Sequence, residues 1–120
     1  DFVRDVSSYA NLNDLYMVSD ILISDYSSTF IDYSILDRPM LCFAYDFEEF
    51  SEKRGFYWDL EKILPCSLDR DEDTLLQHIL TMDREKYVQA THVFHQQFAP
   101  YAGHASEKIV DEMVKRLHSV

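Results

Sequence analysis

Residues 21–44 leave this chain few folds to choose from: Ile-Leu-Ile-Ser-Asp-Tyr-Ser-Ser-Thr-Phe-Ile-Asp-Tyr-Ser-Ile-Leu-Asp-Arg-Pro-Met-Leu-Cys-Phe-Ala. A short apolar strand at 21–23 runs into Asp25-Tyr26-Ser27-Ser28-Thr29. A helix over 28–36 follows, Arg38-Pro39 stops it, and a second apolar strand begins at Met40. Two strands without polar alternation, joined through one helix, spell a βαβ crossover in a sheet covered on both faces. The strand-to-helix corner is rich in hydroxyls. The first turn of a helix has backbone N–H groups without intrahelical partners, and its dipole makes that end positive. Ser27, Ser28 and Thr29 add side-chain donors there, which suits a phosphate or diphosphate. The same three residues also suit plain helix capping.

On either side the pattern continues. Residues 2–6 read as a further strand and Asn11-Leu12-Asn13-Asp14 as a helix start, so βαβαβ with three parallel strands is expected. After Tyr45 comes a stretch of aromatics and charges, 46–64, read as a long irregular segment with one helical turn. Loops of that length are usually functional. Helices are expected from about 69 to 80, with Leu75, Leu76, Ile79 and Leu80 forming its apolar face, and over 85–98, with Tyr87, Thr91, Phe94 and Phe98 on one face. A last amphipathic helix carries Ile109, Val110, Met113, Val114 and Leu117. The fold class is α/β: the C-terminal half of a Rossmann-like domain followed by C-terminal helices, residues 1–120 forming one partial domain.

The chain has 120 residues and a net charge of −11. So acidic a chain is a poor ligand for nucleic acid or an anionic membrane, and any phosphate site must draw on local positive potential. Arg54 in Lys53-Arg54-Gly55-Phe56-Tyr57 is a candidate for that role, or for pairing with a structural carboxylate. Arg38 reads as a cation at a helix C-terminus. Cys42 and Cys66 make no metal or redox spacing, and a reducing, cytoplasmic setting is the simpler reading. His92 and His95 are spaced to share a metal on a helix, but no third ligand is evident in the sequence, so no metal and no other cofactor is expected. The first strand would be an exposed edge, which invites pairing with a second copy as a homo-oligomer.

Taken in order, Asn13-Asp14-Leu15-Tyr16, Ile23-Ser24-Asp25-Tyr26-Ser27-Ser28, Arg38-Pro39, Phe43-Ala44-Tyr45-Asp46 and Arg54-Gly55-Phe56-Tyr57 resemble the C-terminal part of the CDP-glycerol glycerophosphotransferases, which prime or polymerise wall teichoic acid in bacteria. The resemblance implies a GT-B architecture, of which this chain would be a fragment of the nucleotide-donor-binding domain. It implies transfer of glycerol phosphate from CDP-glycerol, or a related CDP-polyol, to a polyol phosphate acceptor. It places Ser27, Ser28 and Thr29 on phosphate and Asp32, four residues after Ser28, on ribose hydroxyls. No catalytic residue is expected here, because the family's His base belongs to an N-terminal domain missing from this chain. The fragment alone would be inactive, and the full-length enzyme would work in the cytoplasm at the inner face of the cell membrane. Two other readings stay open: a non-enzymatic phosphate-binding α/β module, and part of another GT-B nucleotide-sugar transferase.

Overall fold

A computed structural model describes residues 2–119. Helix α1, Leu12–Val18, begins where the Asn11 side chain accepts from Asn13 N, as the Asn cap predicts. Strand β1, Leu22–Ser24, leads through the hydroxyl corner into α2, Thr29–Ser34, and then into β2, Met40–Phe43. The crossover is present where the sequence puts it. Met40, Leu41 and Cys42 are buried, as a central strand between two helical layers requires.

The sheet is three-stranded and parallel, in the order β1-β2-β3, but its third member is not the one expected. Residues 2–6 are exposed and form no strand. Strand β3 is Leu68–Asp69, paired parallel to β2 with Cys42 opposite Leu68 and Phe43 opposite Asp69. The physical reason is partnership. An extended segment becomes a strand only against an edge, and the outer edge of β1 is left open, whereas β2 offers its other edge to Leu68.

Residues 46–64 also depart from the expectation of a mostly irregular loop. They hold α3, Phe47–Lys53, and the single turn α4, Leu60–Ile63. Gly55 ends α3 in the left-handed region (φ 68°), and Arg54 N and Gly55 N both donate to Phe50 O. That reversal brings Phe56 back onto Phe47 and Phe50, with ring centroids 5.4 and 5.1 Å away. The segment looked irregular because its apolar residues pack against each other across the turn and do not fall on one helical stripe.

Three longer helices complete the chain: α5, Glu72–Leu80, α6, Arg84–Phe98, and α7, Ala105–His118. Asp71 and Asp83 cap α5 and α6, accepting from Thr74 N and Lys86 N. Helix α6 lies against α2 and buries Thr91 and Phe94, two of the four residues expected on its inner face. The core is one cluster of Tyr16, Phe30, Tyr33, Met40, Cys42, Ala44 and Phe94. Helix α7 buries none of its side chains, so its apolar stripe is uncovered. Among the described residues no helix is long and apolar enough to cross a membrane.

Candidate functional site

The candidate site is the corner between β1 and α2. Ser28 occupies the cap position of α2 in right-handed backbone (φ −60°, ψ −10°), and its side chain makes no capping hydrogen bond. Ser27 is the engaged hydroxyl: its Oγ accepts from Thr29 N at 3.2 Å and lies 2.7 Å from Thr29 Oγ1. Ile31 N donates to Ser28 O at 2.9 Å and Phe30 N to Ser27 O at 3.4 Å, so the first turn is tight. Of the three hydroxyls expected at this corner, two hold each other, and Ser28 is exposed without an internal partner among the described residues.

Two ties hold the corner from behind. Tyr26 Oη donates to Asp46 Oδ1 at 2.7 Å, joining the end of β1 to the end of β2. Burial pushes the Tyr26 hydroxyl well above its ordinary range and the Asp46 carboxylate adds to the effect, so it stays a donor. Below it, Cys42 Sγ donates weakly to Asp25 O at 3.6 Å. Burial, with the nearby Asp25 and Asp69 carboxylates, pushes that thiol up to about 12, so it is a packing group and not a nucleophile.

A cavity of about 200 Å³ opens beside the corner, walled by Tyr26, Ser27, Ser28, Trp58, Phe94 and Phe98 among others. Trp58 and the helix α6 residues Phe94 and Phe98 are the part that sequence reasoning missed. The signal was present in the aromatic spacing of α6, but nothing in one dimension says that this face meets the Ser27-Ser28 corner. Asp32 is exposed one turn further along α2, outside that lining. Arg54 is also outside it. Its guanidinium sits 5.7 Å from the Phe50 ring centroid, and the Phe50 ring lies 4.9 Å from that of Tyr26. Lys53 pairs with Glu49, whereas Arg54 makes no ion pair among the described residues. It is therefore a cation not already neutralised, one aromatic layer from the corner.

Arg38 has a different task from a ligand contact. Its Nη1 donates to the carbonyls of Tyr16, Met17 and Ser19 at 3.3, 2.9 and 2.7 Å. It therefore closes the C-terminus of α1; the sequence points to a helix end but not to which helix.

A second polar cluster, Ser67, Asp69 and His78, resembles a hydrolytic triad by composition only. Asp69, 1% exposed, lies 2.9 Å from His78 Nδ1, and Ser67 Oγ is 3.5 Å from that same nitrogen. A relay needs the acid and the nucleophile on opposite ring nitrogens. This group instead satisfies a buried carboxylate at the end of β3 and fastens α5 to it.

Residues 1–115 match the family described as CDP-Glycerol:Poly(glycerophosphate) glycerophosphotransferase. A teichoic acid glycerol-phosphate transferase of Staphylococcus aureus (strain NCTC 8325 / PS 47) is 38% identical over 119 residues, covering 96% of this chain and 31% of the relative. A teichoic acid poly(glycerol phosphate) polymerase of Bacillus subtilis (strain 168) is 39% identical over 118 residues, covering 95% of this chain and 16% of its own. The solved wall teichoic acid polymerase TagF superimposes with a TM-score of 0.75 at 34% identity, over 96% of this chain and 29% of that one. The parallel α/β architecture is thus shared with a wall teichoic acid polymerase. The chain belongs to the CDP-glycerol:poly(glycerophosphate) glycerophosphotransferase family, and it spans about a third or less of the length of these relatives.

Proposed function

We propose that this chain is the donor-binding part of a transferase that moves glycerol phosphate from CDP-glycerol, or a related CDP-polyol, onto a teichoic-acid-like polyol phosphate chain. The observation that carries the reading is the free Ser28 hydroxyl at the start of α2, beside an aromatic-walled cavity, in a chain of this family. In this reading the donor diphosphate lies over the Ser27-Ser28-Thr29 turn. Backbone N–H groups and the Ser28 hydroxyl donate to it, and Asp32 accepts from the ribose diol one turn on. Arg54 supplies the local positive charge that an acidic chain otherwise lacks. A TagF structure was obtained from crystals soaked with CDPG, which agrees with a nucleotide-polyol donor in the family.

The same reading assigns the rest of the enzyme to an N-terminal domain outside these residues, which holds the acceptor and the catalytic base. The full-length protein then works at the cytoplasmic face of the membrane. Self-association of the chain would use the open outer edge of β1.

The test is CDP-glycerol affinity and transfer by the intact protein carrying Ser28→Gly, Asp32→Asn or Arg54→Gln. A lost hydrogen bond to a charged group is worth about 1.5–3 kcal/mol, a tenfold to hundredfold weakening of donor binding. Gly is chosen at Ser28 because a cap tolerates it at a few tenths of a kcal/mol. If all three variants fold, bind and turn over donor like the parent, the corner is only a structural turn. Tighter binding of a UDP-sugar than of CDP-glycerol would move the protein to another branch of GT-B transferases.

A further inference from the structure

At the opposite end of α2 from Ser28, two histidines of α6 converge on one carboxylate. His92 Nδ1 lies 3.0 Å from Asp37 Oδ2, and His95 Nδ1 lies 3.0 Å from Asp37 Oδ1. All three candidate donor atoms are within 4.8 Å of one another. The sequence places the two histidines on one face of a helix, because residues three apart are neighbours there. It gives no hint of Asp37, which is 55 positions from His92 and arrives through the packing of α2 on α6.

We propose that Asp37, His92 and His95 form a binding site for one borderline first-row transition ion, with Zn²⁺ the best fit. The donor set decides the class of ion. Two imidazole nitrogens and one carboxylate oxygen suit Zn²⁺ and its neighbours, whereas Mg²⁺ and Ca²⁺ take shells of oxygen. Geometry decides that an ion can enter. With Zn–N and Zn–O bonds of about 2.0–2.2 Å, tetrahedral ligand atoms stand roughly 3.3–3.5 Å apart. The two histidine–carboxylate contacts, one to each oxygen of Asp37, need to open by only a few tenths of an ångström, and the three ligand atoms already lie within 4.8 Å of one another. Exposure decides the fourth ligand. The side chains of His92 and Asp37 are 45% and 36% exposed and that of His95 14%, so one side of the site is open to water.

One further feature favours the site. Asp37 is the single non-glycine residue with positive φ among the described residues, at 51°. Glycine or asparagine is the usual occupant of a left-handed position after a helix, and here an acid stands in it with its carboxylate on the histidine pair. An ion bound here would clamp α6 to the turn between α2 and β2, at the far end of α2 from the donor corner. Its role is to brace the helix that carries Phe94 and Phe98 into the cavity wall, and it takes no part in the transfer chemistry.

The experiment is titration of the chelator-stripped intact protein with ZnCl₂ by calorimetry, with Co²⁺ absorption as a report of ligand geometry. One equivalent should bind, Mg²⁺ should not compete, and bound Co²⁺ should give visible bands of a tetrahedral nitrogen–oxygen site. Asp37→Asn keeps the backbone content, because Asn accepts the left-handed conformation, and should weaken Zn²⁺ by about 100-fold or more. His92→Gln should do the same, and as the most exposed of the three it tests the site even if another variant fails to fold. Zinc should raise the melting temperature of the parent and leave that of both variants unmoved. No stoichiometric binding, or binding unchanged in Asp37→Asn and His92→Gln, would reduce the cluster to a hydrogen-bonded clamp and overturn the proposal.

Discussion

The Tyr16 hydroxyl is buried with no hydrogen-bond partner among the described residues, although its ring packs edge-on against Tyr33 at 5.7 Å. An orphaned buried hydroxyl costs about 1–3 kcal/mol, so Tyr16→Phe should leave stability unchanged or raise it by about 1 kcal/mol in denaturant unfolding. Arg38 is the converse case. Its three carbonyl contacts close α1, and Arg38→Met keeps the aliphatic stem while removing them. A loss of about 1.5–3 kcal/mol is expected in the same assay, and a loss below 0.5 kcal/mol would mean that water replaces the guanidinium at little cost. The two thiols make a third prediction. Burial pushes Cys42 and Cys66 each up to about 12. At neutral pH both should resist alkylation in the native protein and react only after unfolding, as a thiol titration with and without denaturant would show.

Among the elements, the joint between α2 and α6 has the most to test. The folded pKa of Asp37 lies below its usual 3.8, so its stabilising contacts are complete above that value and are lost as the pH falls through the lower, folded one. Asp37→Asn should therefore flatten the acid limb of the stability profile below about pH 4 and leave the neutral region flat. An acid limb identical to the parent's would mean that other carboxylates set it. The same joint shows what one dimension can and cannot reveal. The crossover at 21–44 was legible because a continuous apolar strand, a helix stop at Arg38-Pro39 and a second apolar strand are each local signals. The face of α6 was legible from spacing, but that of α5 only in part, because Leu76 and Leu80 are exposed and only Leu75 and Ile79 turn inward. Leu68–Asp69 was not, because two residues carry no periodicity and the strand exists only through its pairing with β2. Residues 2–6 erred the other way: their composition suits a strand, yet they stay exposed and do not pair with the open edge of β1. At the corner, Ser27, Ser28 and Thr29 could be named from sequence, but not which hydroxyl stays free. Trp58, Phe94 and Phe98 needed the fold.

The whole molecule is not uniformly condensed. Its radius of gyration is 17.3 Å, against about 13–14 Å for a close-packed domain of this length. Helix α7, whose apolar stripe nothing in the described chain covers, and the N-terminal arm account for the excess. In the 120-residue chain, α7 amides should exchange with solvent orders of magnitude faster than those of β2, because only contacts within the helix protect them. Equal protection of the two in a mass-spectrometric exchange experiment would mean that α7 docks in solution. The region around Ser28 stands at the other extreme. The Tyr26–Asp46 bond ties two loops to each other before anything is bound. On the proposed function, a donor arriving there does not have to organise its own cradle. The consequence is kinetic: association should be a single concentration-dependent phase with no slow isomerisation behind it, and differences among donors should appear in how long each one stays.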